Sequence, residues 1–349
     1  MTAQLEIRDL ELSVSVDGIQ RRILRSVSLE IAPGESLGLV GESGSGKSMT
    51  AKAVTGLLPK GSQTRGEIRY EGIRLDDMSK GDLAEHRRSA VALIPQDPRA
   101  AINPLHTVGD FLTEPLRVVQ QLTPAEAARR AVATLGDVGI PDGQRRLGQY
   151  PHELSGGLLQ RVMICAALLS GARLIVADEP TTALDVTTQS EVMAILSELR
   201  RSRGLSLLFI THDLALAAAV CDRIAVMYAG EIVETQAAGL LEDDPRHPYT
   251  RGLLLARPSV TEVTYPLPAI PGRAISPHDV GEGCAFEARC SVAQADCHLT
   301  HPQLEAHRGA LVRCLYADEL DLHVGGLDGQ AGGLDGHEPG AGARHGKGG

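Results

Sequence analysis

Apolar and polar residues alternate from Leu5 to Val16, with Leu5, Ile7, Leu10, Leu12, Val14 and Val16 on the apolar side and a turn at Asp17-Gly18. That period predicts an antiparallel hairpin, its second strand around Val27 to Ile31. Pro33-Gly34 then leads into the continuous apolar run Ser36-Leu37-Gly38-Leu39-Val40, which reads as a buried strand, and Met49, Ala51, Val54, Leu57 and Leu58 follow at helical spacing. Gly66 to Tyr70 predicts a short strand, and Val91-Ala92-Leu93-Ile94 a buried one ending at Pro95-Gln96-Asp97-Pro98. From Val108 to about Gly148 the period becomes helical, and Thr123-Pro124-Ala125-Glu126 is a capping box with Pro at the first helical position.

The apolar run Leu174-Ile175-Val176-Ala177 ends in Asp178-Glu179, the pattern of a central parallel strand with acidic residues at its carboxyl end. Val192, Ile195, Leu196 and Leu199 mark a helix, and Leu207-Leu208-Phe209-Ile210 is a strand that delivers Thr211-His212-Asp213 to the same sheet edge. Arg223 to Tyr228 and Glu231 to Val233 predict a last hairpin. Beyond Pro258 the content of Pro, Gly and Cys rises, and Gly283 to Cys314 carries four of the six cysteines, which suggests a small separate module. From about Gly325 the chain is Gly-rich and polar, a composition that buries no core and predicts disorder.

At 349 residues the chain can hold one large or two ordinary domains. Lys and Arg total 34 against 44 Asp and Glu, a formal net charge of -10, which argues against a general affinity for nucleic acid backbones. Trp is absent and Phe occurs three times, so the core must be aliphatic. The amino terminus lacks a basic, then apolar, leader, and no apolar run reaches the length of a membrane span. The expectation is a soluble intracellular chain that meets a membrane only through a partner.

The chemistry concentrates at Gly41-Glu42-Ser43-Gly44-Ser45-Gly46-Lys47-Ser48, which has the spacing G-x-x-x-x-G-K-S/T between a predicted strand and a predicted helix. Glycines allow the backbone to wrap a pyrophosphate with its N–H groups pointing inward, at the positive end of a helix dipole. Lys47 would neutralise the β- and γ-phosphates, and the Ser48 hydroxyl would ligate Mg²⁺. Gly41, Ser43, Gly44, Ser45, Gly46, Lys47, Ser48 and Met49 form the expected nucleotide-contacting set.

With Leu154-Ser155-Gly156-Gly157-Leu158-Leu159-Gln160 and the acidic strand end in their proper order, the chain resembles the ATP-binding subunit of ABC transporters over roughly its first 255 residues. The resemblance implies an α/β P-loop NTPase of the ABC ATPase type. It comprises a RecA-like core with an antiparallel β subdomain and a helical insertion at about 105–160, a Cys-rich extension at 256–318 and a disordered tail at 319–349. It further implies that Ser155, Gly156 and Gly157 press on the γ-phosphate of ATP held by a second subunit, and that Ala183-Leu184-Asp185 is the loop facing that subunit, with Asp185 among the nucleotide-binding residues. Asp178 and Gln96 would join Ser48 on Mg²⁺, Glu179 would polarise the attacking water, and His212 would contact the γ-phosphate. Two departures stand out: nothing before Tyr70 is aromatic, which leaves Val14 or Val16 as an aliphatic surface for adenine, and Leu158-Leu159 replaces a more polar pair.

Gln96-Asp97-Pro98 with Ile102-Asn103-Pro104, Tyr150-Pro151-His152-Glu153 and His247-Pro248-Tyr249-Thr250 resemble the oligopeptide, dipeptide and nickel importers, and Ser48-Met49-Thr50 to Leu58-Pro59 the first of their two ATPases. The implied partners are two transmembrane permease subunits, a second, non-identical ATPase and an extracytoplasmic solute-binding protein. The implied location is peripheral, on the cytoplasmic face of the inner membrane. Cys284, Cys290, Cys297 and Cys314 resemble the branch's cysteine-rich extension; a 4Fe-4S cluster, zinc or free thiols all suit them chemically, although the spacing lacks a tight Cys-x-x-Cys. Cys165 and Cys221 read as core residues. Competing readings are a nickel or other solute importer, a soluble ABC-type ATPase acting on ribosomes or DNA, and a redox- or metal-responsive interaction protein.

Overall fold

Asp17 and Gly18 both take positive φ, 52° and 78°, the geometry of a two-residue hairpin turn. They join β1 (Leu5–Val16) to β2 (Ile19–Ile31). In the computed structural model, which describes residues 2–182, 184–257 and 269–319, β2 therefore starts well before Val27. A two-residue turn returns the chain to pairing at once, and the exposed Gln20-Arg21-Arg22 stretch hid the strand from a hydrophobic pattern. The expected disorder beyond residue 319 lies outside the described residues, as do Ala183 and the boundary at Pro258.

β4 (Gln63–Tyr70) and β5 (Ile73–Arg74) complete an antiparallel sheet in the order β2-β1-β4-β5. The main sheet uses β3 (Ser36–Val40), β6 (Val91–Ile94), β7 (Leu174–Asp178), β8 (Ser206–Thr211), β9 (Arg223–Tyr228) and β10 (Glu231–Ala237). With β11 (Glu305–His307) and β12 (Ala310–Val312) its order is β11-β12-β10-β9-β3-β8-β7-β6, and β9, β3, β8, β7 and β6 run parallel. All five residues of β3 are buried, as its uninterrupted apolar run requires. Leu5, Ile7, Leu12, Leu37, Leu39, Val176 and Leu208 fill one apolar core shared by the two sheets.

The expected helical insertion consists of Val108–Val118, Pro124–Asp137 and Gly143–Leu147. Thr107 and Thr123 close the first two with full capping boxes, each with a first-turn carboxylate bonded back to the cap. Leu112, Leu116, Ala131 and Leu135 bury this subdomain against the helix Gly156–Ser170.

The cysteine-bearing segment departs from expectation. It is continuous with the ATPase sheet, because β11 (Glu305–His307) and β12 (Ala310–Val312) extend it, with Glu234 paired to Val312 and Thr235 to Leu311. Its own buried apolar cluster, Ala310, Val312 and Ala317, is too small to hold a domain. Phe286 instead inserts beside Tyr228 and Tyr249, at ring-centre distances of 5.2 and 5.3 Å. Buried Arg313 donates to the carbonyls of Ile232 at 3.0 Å and Pro302 at 3.1 Å.

Candidate nucleotide site

The phosphate loop leaves the carboxyl end of β3 and turns into the helix Lys47–Val54. Gly46 carries a φ of 113°, where any side chain is strained. Space decides at Gly41: a Cβ there would stand 2.1 Å from the Met227 carbonyl oxygen. The loop folds over its own lysine, whose buried Nζ donates to the carbonyls of Gly41 at 2.8 Å and Glu42 at 3.0 Å. Burial lowers the Lys47 pKa, and the charges of Glu179, Asp178 and Glu42 oppose that fall. Among the described residues the buried Ser45 hydroxyl has no hydrogen-bond partner. A glycine-bent loop at the start of a helix, closed over a lysine, suits the oxygens of a phosphate.

Ser48 Oγ donates to Asp178 Oδ1 at 3.0 Å, so two of the three expected Mg²⁺ ligands, from separate elements, already touch. Burial raises the Asp178 pKa and Glu179 adds to it, while Ser48 and Lys47 oppose the rise. A desolvated carboxylate beside a hydroxyl is a donor set that fits a hard cation.

Glu179, just past β7, has a φ of 46°, an uncommon conformation for a non-glycine residue, with its backbone N–H anchored on the Ile210 carbonyl at 2.9 Å. Its Oε2 accepts from Gln96 Nε2 at 3.1 Å and Thr182 Oγ1 at 2.8 Å, with His212 Nδ1 at 3.3 Å. The ends of β6, β7 and β8 thus bring Gln96, Glu179 and His212 to one point, as expected at the carboxyl edge of a parallel sheet. Thr182 is a member the motifs did not single out, since only the turn after Glu179 reveals that its hydroxyl faces back.

These groups border a cleft of about 790 Å³, lined by Gly41, Ser43, Gly44, Gly46, Lys47, Ser48, Met49, Gln96, Glu179 and His212. Its apolar wall is Ile23 of β2 and Leu253 of the helix Pro248–Leu255. Val14 and Val16, expected in that role, do not line it, and Val16 sits exposed near the hairpin tip. Ile23 lies within a polar stretch and Leu253 is remote in sequence, so neither carried a signal.

Ser155, Gly156, Gly157 and Asp185 stand outside this cleft and beside one another. Ser155 caps the helix Gly156–Ser170, accepting from the Leu158 N–H at 3.3 Å. Asp185 caps Val186–Arg203, accepting from the Thr188 N–H at 3.0 Å and Thr188 Oγ1 at 2.7 Å, and the Thr188 N–H bond leads in lowering its pKa. A Cβ on Gly157 would come within 2.4 Å of Thr188 Cγ2, so the two helix starts are in close contact.

Residues 24–182 match the ABC transporter family, and residues 233–297 match the oligopeptide/dipeptide transporter C-terminal region. A putative peptide import ATP-binding protein of Brucella abortus (strain 2308) is 42% identical over 311 residues, 89% of this chain and 94% of the relative. The chain belongs to the ATP-binding subunits of ABC transporters. An oligopeptide transport ATP-binding protein, OppD, of Bacillus subtilis (strain 168) is 43% identical over 296 residues, 84% of this chain and 83% of that one. Among solved structures, the ATP-binding cassette MJ0796, in a dimeric post-hydrolysis state bound to ADP and Pi, superposes with a TM-score of 0.60 at 27% identity. It covers 67% of this chain and 98% of that one. The chain is accordingly an ABC ATPase, for which ATP and Mg²⁺ are the expected substrate and cofactor. Among the described residues no helix is long and apolar enough to cross a membrane.

In this ABC ATPase, Cys284, Cys290, Cys297 and Cys314 line one small cavity with His247 and Phe286. Its volume of about 20 Å³ is room for a single water. Burial pushes the Cys284 thiol up to about 12 and raises Cys290 and Cys314 as well, which keeps those sulfurs protonated. Among the described residues no group of three or more His, Cys, Asp or Glu side chains is arranged to hold a metal ion. As they stand, the four thiols do not fit a 4Fe-4S cluster.

Proposed function

We propose that this ABC ATPase powers the import of dipeptides or oligopeptides as a peripheral subunit on the cytoplasmic face of the inner membrane. The observation that carries the reading is the match of residues 233–297 to the oligopeptide/dipeptide transporter C-terminal region, in relatives that span nearly the whole chain. Its partners in this reading are two transmembrane permeases, a second and non-identical ATPase, and an extracytoplasmic solute-binding protein that selects the solute.

Ser48, Asp178 and Gln96 would hold Mg²⁺, which when bound neutralises charge on the β- and γ-phosphates. Lys47 and the loop N–H groups bind and orient the triphosphate, and Ile23 with Leu253 gives the base an aliphatic wall. Glu179 accepts a proton from the attacking water while Gln96, Thr182 and His212 hold its carboxylate in place. His212 lies beside that carboxylate and would reach the γ-phosphate. Ser155, Gly156, Gly157 and Asp185, away from the chain's own cleft, would close on nucleotide held by the partner ATPase, which makes each site composite.

A mild-detergent pull-down of the tagged chain from native membranes, with mass spectrometry of stoichiometric partners, tests the assembly. Two multi-span permeases and another ATPase are expected; ribosomes or DNA-repair factors in their place overturn it. The reading also includes a 4Fe-4S cluster on Cys284, Cys290, Cys297 and Cys314, which requires the thiols to move apart. Iron and sulfide assays on anaerobically purified protein decide that part.

A further inference from the structure

Glu42, the second residue of the phosphate loop, lines the cleft, which places a carboxylate at the edge of a site built for an anion. Left bare, that charge would repel a triphosphate. It is not bare: Arg289 Nη1 donates to Glu42 Oε2 at 2.7 Å and Arg289 Nη2 to Glu42 Oε1 at 3.0 Å, a two-pronged fork. The Glu42 backbone is tied as well, its N–H to Tyr249 Oη at 3.0 Å and its carbonyl to Lys47 Nζ at 3.0 Å.

Arg289 comes from the cysteine-bearing extension, in the turn Glu287–Arg289 between Cys284 and Cys290. Its side chain is only 6% exposed. Nε donates to the Pro271 carbonyl at 2.9 Å, and the guanidinium stands 5.7 Å from the centre of the Tyr228 ring. The fork is thus aimed before it meets Glu42, unlike a mobile surface ion pair, whose contribution is small. Phe286, whose carbonyl accepts the Arg289 N–H at 3.0 Å, is wedged between Tyr228 and Tyr249 and fixes the turn to the ATPase body.

We infer that Arg289 is a positioning residue for ATP binding: the extension neutralises Glu42 and holds the phosphate loop open to nucleotide through the Arg289–Glu42 fork. The inference rests on the reading of the cleft as the ATP site. Arg289 does not line the cleft, so it acts only through Glu42. Removing the guanidinium leaves an unneutralised carboxylate where phosphate binds, and removing both charges together takes the repulsion away again.

The test compares the full chain with Arg289→Gln, Arg289→Lys, Glu42→Gln and the Arg289→Gln/Glu42→Gln double variant. The Kd for ATP is measured on each, and KM and kcat in the purified assembly with its partners. Arg289→Gln raises Kd and KM about tenfold and leaves kcat within about twofold, because saturating ATP restores the loop. Arg289→Lys, which keeps charge but not the fork, gives about a threefold rise, and the double variant returns to within about threefold of the unmodified chain. A purely structural role lowers kcat and thermal stability together and shows no rescue, which overturns the inference, as does an unchanged affinity in Arg289→Gln. Should Arg289→Gln fail to fold, an unchanged affinity in Arg289→Lys overturns it equally. Absence of ATP binding by the unmodified chain overturns the cleft reading and the fork's role with it, whereas normal binding there with unaltered variants overturns the fork alone.

Discussion

The phosphate-loop cleft and the cysteine cavity both read as ligand sites from residue type and spacing, yet they differ physically. The cleft offers about 790 Å³ bordered by the phosphate loop, a desolvated Lys47 and the side chains of Gln96, Glu179 and His212. The cavity offers about 20 Å³ among four thiols, three of them, Cys284, Cys290 and Cys314, raised by burial, with Phe286 and Tyr316 also in its lining. Convergent polar and charged groups facing open volume mark a formed site; the right ligand types alone do not. What the extension does contribute is its grip on the cleft through Arg289.

If the cleft is the reacting site, Glu179→Gln produces the largest effect on it. Steady-state ATP turnover of the assembled transporter falls by roughly 10² to 10⁴, the ordinary worth of a positioned base, while ATP binding survives because Lys47 and the loop are untouched. Single-turnover and binding measurements on the same preparation check both halves. Turnover at the unmodified rate removes Glu179 from the chemistry and with it half of the contrast.

The sealed side of the contrast predicts a pH effect on stability. Burial raises Glu234 to about 7, against bonds from the N–H groups of Arg246 at 2.8 Å and His247 at 2.9 Å that favour its charged form. A carboxyl with a raised folded-state pKa contributes stability that is fully present below its unfolded value of 4.5 and is lost as pH rises through about 7. The loss amounts to about 3 kcal/mol at most. Beside it His247 is driven down to about 3 by burial, its Nδ1 accepting the Tyr249 N–H at 3.0 Å; neutral in the fold, it works in the opposite direction, adding stability as pH rises towards its unfolded value of 6.5. In thermal melts between pH 5 and pH 8, stability should therefore fall in the unmodified chain relative to Glu234→Gln, in which the His247 rise acts unopposed. Parallel slopes in the two proteins exclude Glu234 as the source.

Much of this was legible in the residues. The uninterrupted apolar runs of β3, β7 and β8 carry both their burial and their place at the sheet centre, and the chemical residues follow directly at their carboxyl ends. The capping boxes at Thr123 and the glycines at 41 and 46 are local signals with local causes. Contacts between distant segments were not legible: Arg289 on Glu42, Leu253 on the cleft wall and β12 on β10 depend on tertiary packing that has no period in the chain. What the four cysteines hold was not legible for a related reason, since spacing along a chain says which thiols can meet but not how much room they leave.

The face carrying Ser155 and Asp185 provides a smaller test of which region serves which nucleotide. Ser155→Ala removes the cap of Gly156–Ser170 and costs about 1 kcal/mol, a fall of a few degrees in melting temperature. Because that face is apart from the chain's own cleft, ATP binding to the isolated chain should be unchanged while turnover of the assembled pair falls. A matching loss of affinity in the isolated chain contradicts the separation.

The smallest expected effect concerns the apolar wall. Ile23 and Leu253 give an adenine ring dispersion and excluded water but no π-face, and a stacked aromatic pair contributes about 1 kcal/mol beyond burial, or roughly fivefold in affinity. Ile23 is only half-buried at the cleft mouth, so a larger ring can extend over the opening without displacing the core. Ile23→Tyr should then tighten ATP binding by about fivefold in an equilibrium titration of the isolated chain. Tripolyphosphate is the control, since it occupies the loop without a base and its affinity should not move. If ATP and tripolyphosphate tighten together, the ring is acting on the phosphate loop and the wall is not where the base sits. If neither moves, the aliphatic wall already supplies all the contact that this position can offer.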